Sequence, residues 1–240
     1  MLSVGEKLPD FKITGVKPGF NHHEEKGVSA FEPVDNQSFP GKWKVIFFYP
    51  KDFTFVCPTE IVAFAKLNKD FEDRDAVVLG GSVDNEHSKL GWRREHPDLN
   101  GLKMWQFADP GAKFARALGV LDEENGVAYR ATFVVDPDNT IQHVYVTNLN
   151  VGRNPEDTLR VLDALQTDEL CPCNRQVGGA TPVKNFPGRS GPWIGSPAGS
   201  LLGGARPHGH TGWAWRLDPG AGPPPPRPPP PGQPPPCTTA

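Results

Sequence analysis

The chain of 240 residues is poor in cysteine, in net charge and in long apolar runs. Four cysteines in a chain this long exclude a disulfide-rich secreted scaffold. In a reducing compartment, widely spaced thiols point to redox or metal chemistry. The formal net charge of −3 excludes the strong basic excess that nucleic acid or an anionic membrane surface would attract. No apolar run approaches the ~20 residues of a spanning helix. The opening MLSVGEKLPDF has no basic start followed by an apolar core, as a signal peptide would. The expectation is a soluble, cytoplasmic protein with no nucleic-acid or membrane partner. What is present, 37% hydrophobic and 22% charged residues, suffices for a real core.

Composition changes near Ala180. Beyond it lie 17 of the 28 prolines and a single acidic residue, Asp218, with the low-complexity run PGAGPPPPRPPPPGQPPP. Such a segment cannot bury enough apolar surface to offset chain entropy. Polyproline II over Pro223–Pro236 is the only regular state assigned to it. It reads as a disordered extension, with a ligand for a proline-binding domain as the functional alternative. Cys237 falls inside it and is taken as incidental. The expected organisation is a globular domain over 1–168, an arm over 169–179 and a tail over 180–240.

The globular part alternates strand and helix signals. Lys44–Tyr49 (KVIFFY) is short, apolar and aromatic, as a buried strand is. Ile61, Phe64, Leu67 and Phe71 recur at helical spacing and predict a helix from Pro58 to about Arg74. AVVLGGSVD reads as a second buried strand, HSKLGWRREH as a helix stopped by Pro97, and AKFARALGV as a short helix closed by Gly119. YRATFVVDP and TIQHVYV read as two strands joined in a hairpin through Asp136–Asn139. Asn154 and Pro155 supply the N-cap and first helical residue of NPEDTLRVLDALQ. A β-α-β unit, then a hairpin, then a helix is the order of a thioredoxin-like fold: α/β, with a central mixed sheet flanked by helices. Fold alone does not fix activity.

Within YPKDFTFVCPTE (Tyr49–Glu60), one cysteine stands where strand gives way to helix. A sulfur there meets unpaired backbone N–H groups and the positive end of the helix dipole, which favours thiolate over thiol. Pro58 at the first helical position sacrifices no needed N–H. The Thr54 hydroxyl can turn toward the sulfur or toward an oxygen approaching it, and Pro50 fixes the loop and shields it from water. The alternative for Cys57 is an inert, buried thiol. A strand-to-helix turn flanked by Thr and Pro argues against it.

Pro50-xxx-Thr54-xx-Cys57 resembles the signature of the peroxiredoxins, thiol peroxidases on a thioredoxin fold. FFYPKDFTFVCPTE resembles the typical 2-Cys group. GRNPEDTLRVLDALQTDELCPCN, with its acidic residues and late cysteines, is similar to the bacterial alkyl hydroperoxide reductase C (AhpC) group. The resemblance runs from about Ser3 to Gly179, with several motifs in order. It implies that Cys57 is the peroxidatic cysteine, that Thr54 and Pro50 support it, and that Glu60 orients an arginine. It implies Arg130, in YRATFVVD, as the active-site arginine and Arg153, in VGRN, as a second one. The place of Arg130 within an apolar strand also argues against a plain surface charge. The chemistry expected is thiolate attack on a peroxide oxygen. Arg130, Thr54 and the Cys57 N–H would stabilise the leaving oxygen, and the product is a sulfenic acid.

Cys171-Pro172-Cys173 follows the last helix on an arm expected to be mobile. By the resemblance, Cys171 is the resolving cysteine, contributed by the partner subunit of a homodimer, and Cys173 is auxiliary. A second thiol condenses with a sulfenic acid to a disulfide. The CxC sulfurs and His22-His23 are the one candidate metal set. A zinc site needs four arranged ligands and no matching second pair exists, so neither metal nor cofactor is expected. His22-His23-Glu24-Glu25 reads more simply as a solvated loop. A thioredoxin-like disulfide oxidoreductase would want Cys-x-x-Cys at the helix start, where Thr54 stands instead. A holdase chaperone in assembled form is the alternative function. Overoxidation-sensitive relatives carry a GGLG insertion and a C-terminal helix with YF. Here GVLDEENGVA and proline-rich sequence stand in those places. Expected partners are a hydroperoxide substrate and a thiol reductant protein: AhpD-like, a thioredoxin or a flavoprotein reductase. A higher ring of dimers is the larger assembly the resemblance allows.

Overall fold

The computed structural model describes residues 1–181. All but the first two residues of the expected tail, with its polyproline II and Cys237, lie outside the described residues. In chain order the elements are β1 (Lys12–Val16), β2 (Glu24–Glu25), β3 (Val28–Ser29), β4 (Phe31–Asp35), β5 (Trp43–Phe48), α1 (Cys57–Lys66), α2 (Asn68–Glu72), β6 (Ala76–Ser82), α3 (Glu86–Glu95), β7 (Trp105–Ala108), α4 (Lys113–Leu118), β8 (Leu121–Asp122), β9 (Val127–Ala128), β10 (Arg130–Val135), β11 (Ile141–Thr147) and α5 (Pro155–Leu165).

Seven strands pair in the order β11-β10-β5-β6-β7-β1-β4. The central pairs β5–β6 and β6–β7 are parallel. The flanking pairs are antiparallel. Apolar cores cover both faces, which is why β5 is apolar almost throughout. Ile46 and Phe48 enter one core with Phe107, Phe114 and Phe133. Val45, Phe47 and Tyr49 enter the other with Ile61, Phe64, Trp92, Leu162 and Cys57. Gly80 on β6 makes room for that second core. A Cβ there would stand 2.3 Å from Phe47 Cζ. This is the thioredoxin-like α/β fold, with a mixed sheet between helices.

Local chemistry sets the element ends. Asn154 Oδ1 accepts the Glu156 N–H at 3.0 Å and starts α5, with Pro155 as its first residue. Asn85 Oδ1 caps α3 at the Ser88 N–H, so that helix begins one residue before HSKLGW. Gly119, at φ +72°, closes α4. Three sequence expectations need correction. The helix expected over Pro58–Arg74 is two helices, parted where Leu67 leaves helical geometry. The buried Asn68 amide there binds Lys103 O and Glu72 Oε1. Pro58 is the second helical residue, because Cys57 itself is the first. Third, β1, β4 and β7 extend the sheet beyond the expected β-α-β unit and hairpin.

Candidate active site

Cys57 opens α1 at the end of the loop that leaves β5. Its side chain faces inward, and the residue is 1% exposed. The neighbour of its sulfur is Arg130, the first residue of β10, whose Nη1 lies 3.5 Å from Sγ. The same nitrogen donates to Glu60 Oε2 at 2.5 Å, and Arg130 Nε donates to Leu149 O at 2.7 Å. Glu60 stands one turn along α1 from Cys57, so helical periodicity puts both on one inward face.

Arg153 completes the cluster from the approach to α5. Its backbone N–H and Nε donate to Glu60 Oε1, and Nη2 donates to Oε2. Its Nη1 donates to Ala131 O at 2.7 Å and Thr132 Oγ1 at 3.3 Å. The guanidinium carbon sits 5.3 Å from the centroid of the Phe47 ring, the ring that Gly80 makes room for. Two buried guanidiniums therefore surround one carboxylate. Burial by itself would raise the pKa of Glu60. Its bonds and charge interaction with Arg153, with a further contribution from Arg130, outweigh that and hold it below the ordinary value. An anion at the cysteine sulfur would balance the remaining positive charge.

The expected site residues thus separate by position. Cys57, Glu60, Arg130 and Arg153 come together, with Arg153 on Glu60 rather than on the sulfur. Thr54 is half-buried, and its hydroxyl donates to Lys51 O at 3.1 Å, so here it closes its own loop instead of turning to Cys57. Pro50 is half-buried at the start of that loop. Cys171 and Cys173 lie elsewhere. Cys171 Sγ stands 3.4 Å from Thr167 Oγ1 and 3.7 Å from Ala164 O, beside the C-terminal end of α5. Cys57, Cys171 and Cys173 are all free thiols. The arm that bears the late pair is tied down by Asp163, which accepts from Arg175 and the Gly178 N–H. His23 meets His87, with Nε2 3.0 Å from Nδ1, and is not paired with the CxC sulfurs.

Sequence reasoning missed a second buried polar group behind the loop: Tyr49, Asp52, Ser82, Lys89, Arg93 and Gln106. Tyr49 OH donates to Asp52 Oδ1 at 2.9 Å, and Arg93 Nε donates to Gln106 Oε1 at 2.7 Å. Asp52 lies within the quoted loop motif. The available signal for Lys89 was its spacing of three from Trp92 on the inward face of α3.

Residues 4–144 match the AhpC/TSA family. The chain is 50% identical over 187 residues to alkyl hydroperoxide reductase C of Mycolicibacterium smegmatis, covering 75% of this chain and 93% of that one. It is 41% identical to a thioredoxin peroxidase of Trypanosoma brucei rhodesiense, covering 72% of this chain and 90% of the other. Among solved structures, Mycobacterium tuberculosis AhpC aligns with a TM-score of 0.66 at 47% identity. That alignment covers 72% of this chain and 98% of the other.

Proposed function

The chain belongs to the AhpC/TSA family and is a peroxiredoxin, a peroxide-reducing oxidoreductase, and from that premise we propose that Cys57 is its peroxidatic residue. The observation that carries the reading is Arg130 Nη1 at 3.5 Å from Cys57 Sγ, with Glu60 holding that guanidinium in place. The Cys57 thiolate attacks one oxygen of a hydroperoxide. The O–O bond breaks, and the leaving oxygen departs as water or an alcohol once it gains a proton. Arg130 and the N–H groups at the start of α1 stabilise charge on that oxygen, and Thr54 joins them once its hydroxyl leaves Lys51 O. Cys57 is left as a sulfenic acid.

Cys171 then resolves it. Its thiol attacks the sulfenic sulfur, a disulfide forms and water leaves. The geometry favours a partner's Cys171. Cys57 lies near the start of α5, where Gly152 abuts Val56 and Glu60, while Cys171 lies at the other end. Eleven helical residues span about 16 Å, and a disulfide needs Cα atoms within about 7 Å. A homodimer paired along β11 fits this, because β11 is a sheet edge and the opposite edge, β4, carries Pro33. Cys173 is auxiliary. A thiol reductant protein (AhpD-like, a thioredoxin or a flavoprotein reductase) returns the disulfide to thiols. The cytoplasm supplies such reductants. Among the described residues, no helix is long and apolar enough to cross a membrane.

The test is peroxide consumption by Cys57→Ser in the full chain. Loss of activity is expected, since a hydroxyl is far less nucleophilic at neutral pH. Retained activity would sink the assignment. The holdase reading draws on the exposed Phe53, Phe55 and Val56 beside the site. Cys57→Ser keeps that surface, so a client-aggregation assay on the same variant separates the two activities.

A further inference from the structure

Behind the reactive loop lies a fully buried lysine that the peroxide chemistry does not use. Lys89, on α3, is 0% exposed. Its Nζ donates to Ser82 Oγ at 2.8 Å, to Asp52 Oδ1 and Oδ2 at 3.3 and 3.4 Å, and to Tyr49 OH at 3.3 Å. Asp52 also accepts from Tyr49 OH and Ser82 Oγ, and its own N–H donates to Asp84 Oδ2 at 2.8 Å. Burial presses the lysine pKa down, while the Asp52 and Asp84 carboxylates oppose it. A buried ion pair is weak evidence for stability, but breaking one partner is costly. The group therefore matters most for what it holds in place.

What it holds is the start of the loop leading to Cys57. Asp52 stands five residues before that cysteine. Phe53, at φ +55°, follows it and stacks on Trp92 of the same helix, with centroids 5.7 Å apart. Thus α3 grips the loop at two successive residues. Beyond them, among the described residues, the Thr54 hydroxyl bonds to Lys51 O of its own loop, and Phe55 is 97% exposed. The loop is anchored at one end and solvent-exposed at the other, with Cys57 after the exposed part.

We infer that Lys89, acting through Asp52, is a positioning residue that fixes the loop leading to Cys57 and so governs both its meeting with peroxide and its later release. The inference rests on Cys57 being the peroxidatic residue. It follows from two demands on one segment. Attack on peroxide needs the sulfur held against Arg130, whereas disulfide formation needs a 1% exposed cysteine brought out to another thiol. The anchor stabilises the first arrangement and restricts the opening that leads to the second. A sulfenate kept in place is open to a second peroxide, which transfers one oxygen to give the sulfinic acid and leaves as water or alcohol. A released sulfenate is captured first by Cys171.

The test uses the full chain as Lys89→Met, Lys89→Gln, Asp52→Asn and the double variant Lys89→Met/Asp52→Asn, each checked by circular dichroism for the wild-type fold. Stopped-flow mixing with hydrogen peroxide reads the first step. Mass spectrometry after a pulse of excess peroxide reads the sulfinic fraction on Cys57. Lys89→Met and Asp52→Asn are expected to slow the first step about tenfold or more, because small misplacements cost that much. Both should also lower the sulfinic fraction. Lys89→Gln, whose amide still donates to Asp52, should fall between, and the double variant should be no slower than the slower single one. If Lys89→Met does not fold, Lys89→Gln and Asp52→Asn carry the same comparison. Folded variants with a lower Tm but an unchanged first-step rate and sulfinic fraction would overturn the inference. Cys57→Ser is run alongside, and peroxide consumption by that variant would indict the peroxidatic assignment rather than Lys89.

Discussion

Arg153 grips both carboxylate oxygens of Glu60: its backbone N–H and Nε reach Oε1 at 2.9 and 2.8 Å, and Nη2 reaches Oε2 at 3.1 Å. Arg130 shares Oε2, so one buried carboxylate holds two guanidiniums. Glu60→Gln would leave both cations buried and facing each other. The expected loss is about 3–5 kcal/mol of stability, with a slower first oxidation because Arg130 is no longer held. Denaturant unfolding beside peroxide stopped-flow reads both effects. A variant as stable and as fast as wild type would remove Glu60 from its central place.

The same carboxylate sets an acid limit. Glu60 and Asp163 both hold their pKa below the ordinary value. Burial opposes this, and it is outweighed at Glu60 by Arg153 and at Asp163 by the Gly178 N–H, Arg175 and Arg74. A carboxylate depressed in the folded state adds stability above its unfolded value. That stability is lost as pH falls through the folded value. The share of stability that these two carboxylates supply should therefore be constant through neutral pH and fall once pH drops below about 4.5. Glu60→Gln and Asp163→Asn should flatten that fall. An acid transition unaltered in both variants would contradict the assignment.

Arg130→Met should keep the fold and slow sulfenic acid formation on the order of 10²-fold, the usual cost of one lost transition-state donor. Arg130→Lys should recover only part, since a lysine keeps the charge and loses the rigid fork that serves Cys57, Glu60 and Leu149 O together. Equal rates in all three proteins would take Arg130 out of the chemistry.

Asp163→Asn tests the arm without touching the cluster around Cys57. Asp163 Oδ1 accepts from Arg74 Nε at 3.0 Å, and Oδ2 accepts from Arg175 Nη1 at 2.5 Å and the Gly178 N–H at 3.0 Å. Weakening that tie should free Cys171 from the end of α5. The expected outcome is an unchanged first step and a severalfold faster disulfide step, read as two phases after mixing with peroxide. A slowed disulfide step would mean that the docked arm is itself the productive arrangement.

Much of this was legible in the chain. A short apolar run rich in aromatics marked β5, capping residues marked α5, and the strand-to-helix turn singled out Cys57. The rest was hidden for physical reasons. Gly15 and Pro33 break the strand pattern of β1 and β4, and pairing with β7 is a long-range fact. The interruption at Leu67 depends on Asn68 finding Lys103 O, 35 residues away. Sequence allows the Thr54 hydroxyl to face the sulfur or an approaching oxygen, and does not reveal that its own loop offers the Lys51 carbonyl. Lys89 and Arg93 look like the polar face of α3 in sequence. Only the fold shows Asp52, Gln106 and backbone carbonyls waiting to receive them.

On the proposed assignment, peroxide oxidises Cys57 before any other thiol. A chain carrying Cys171→Ser and Cys173→Ser, treated with one equivalent of hydrogen peroxide and a sulfenate-trapping cyclic dione, should give a single adduct, mapped by mass spectrometry to Cys57. Peroxide consumed with no adduct on Cys57 would contradict the account.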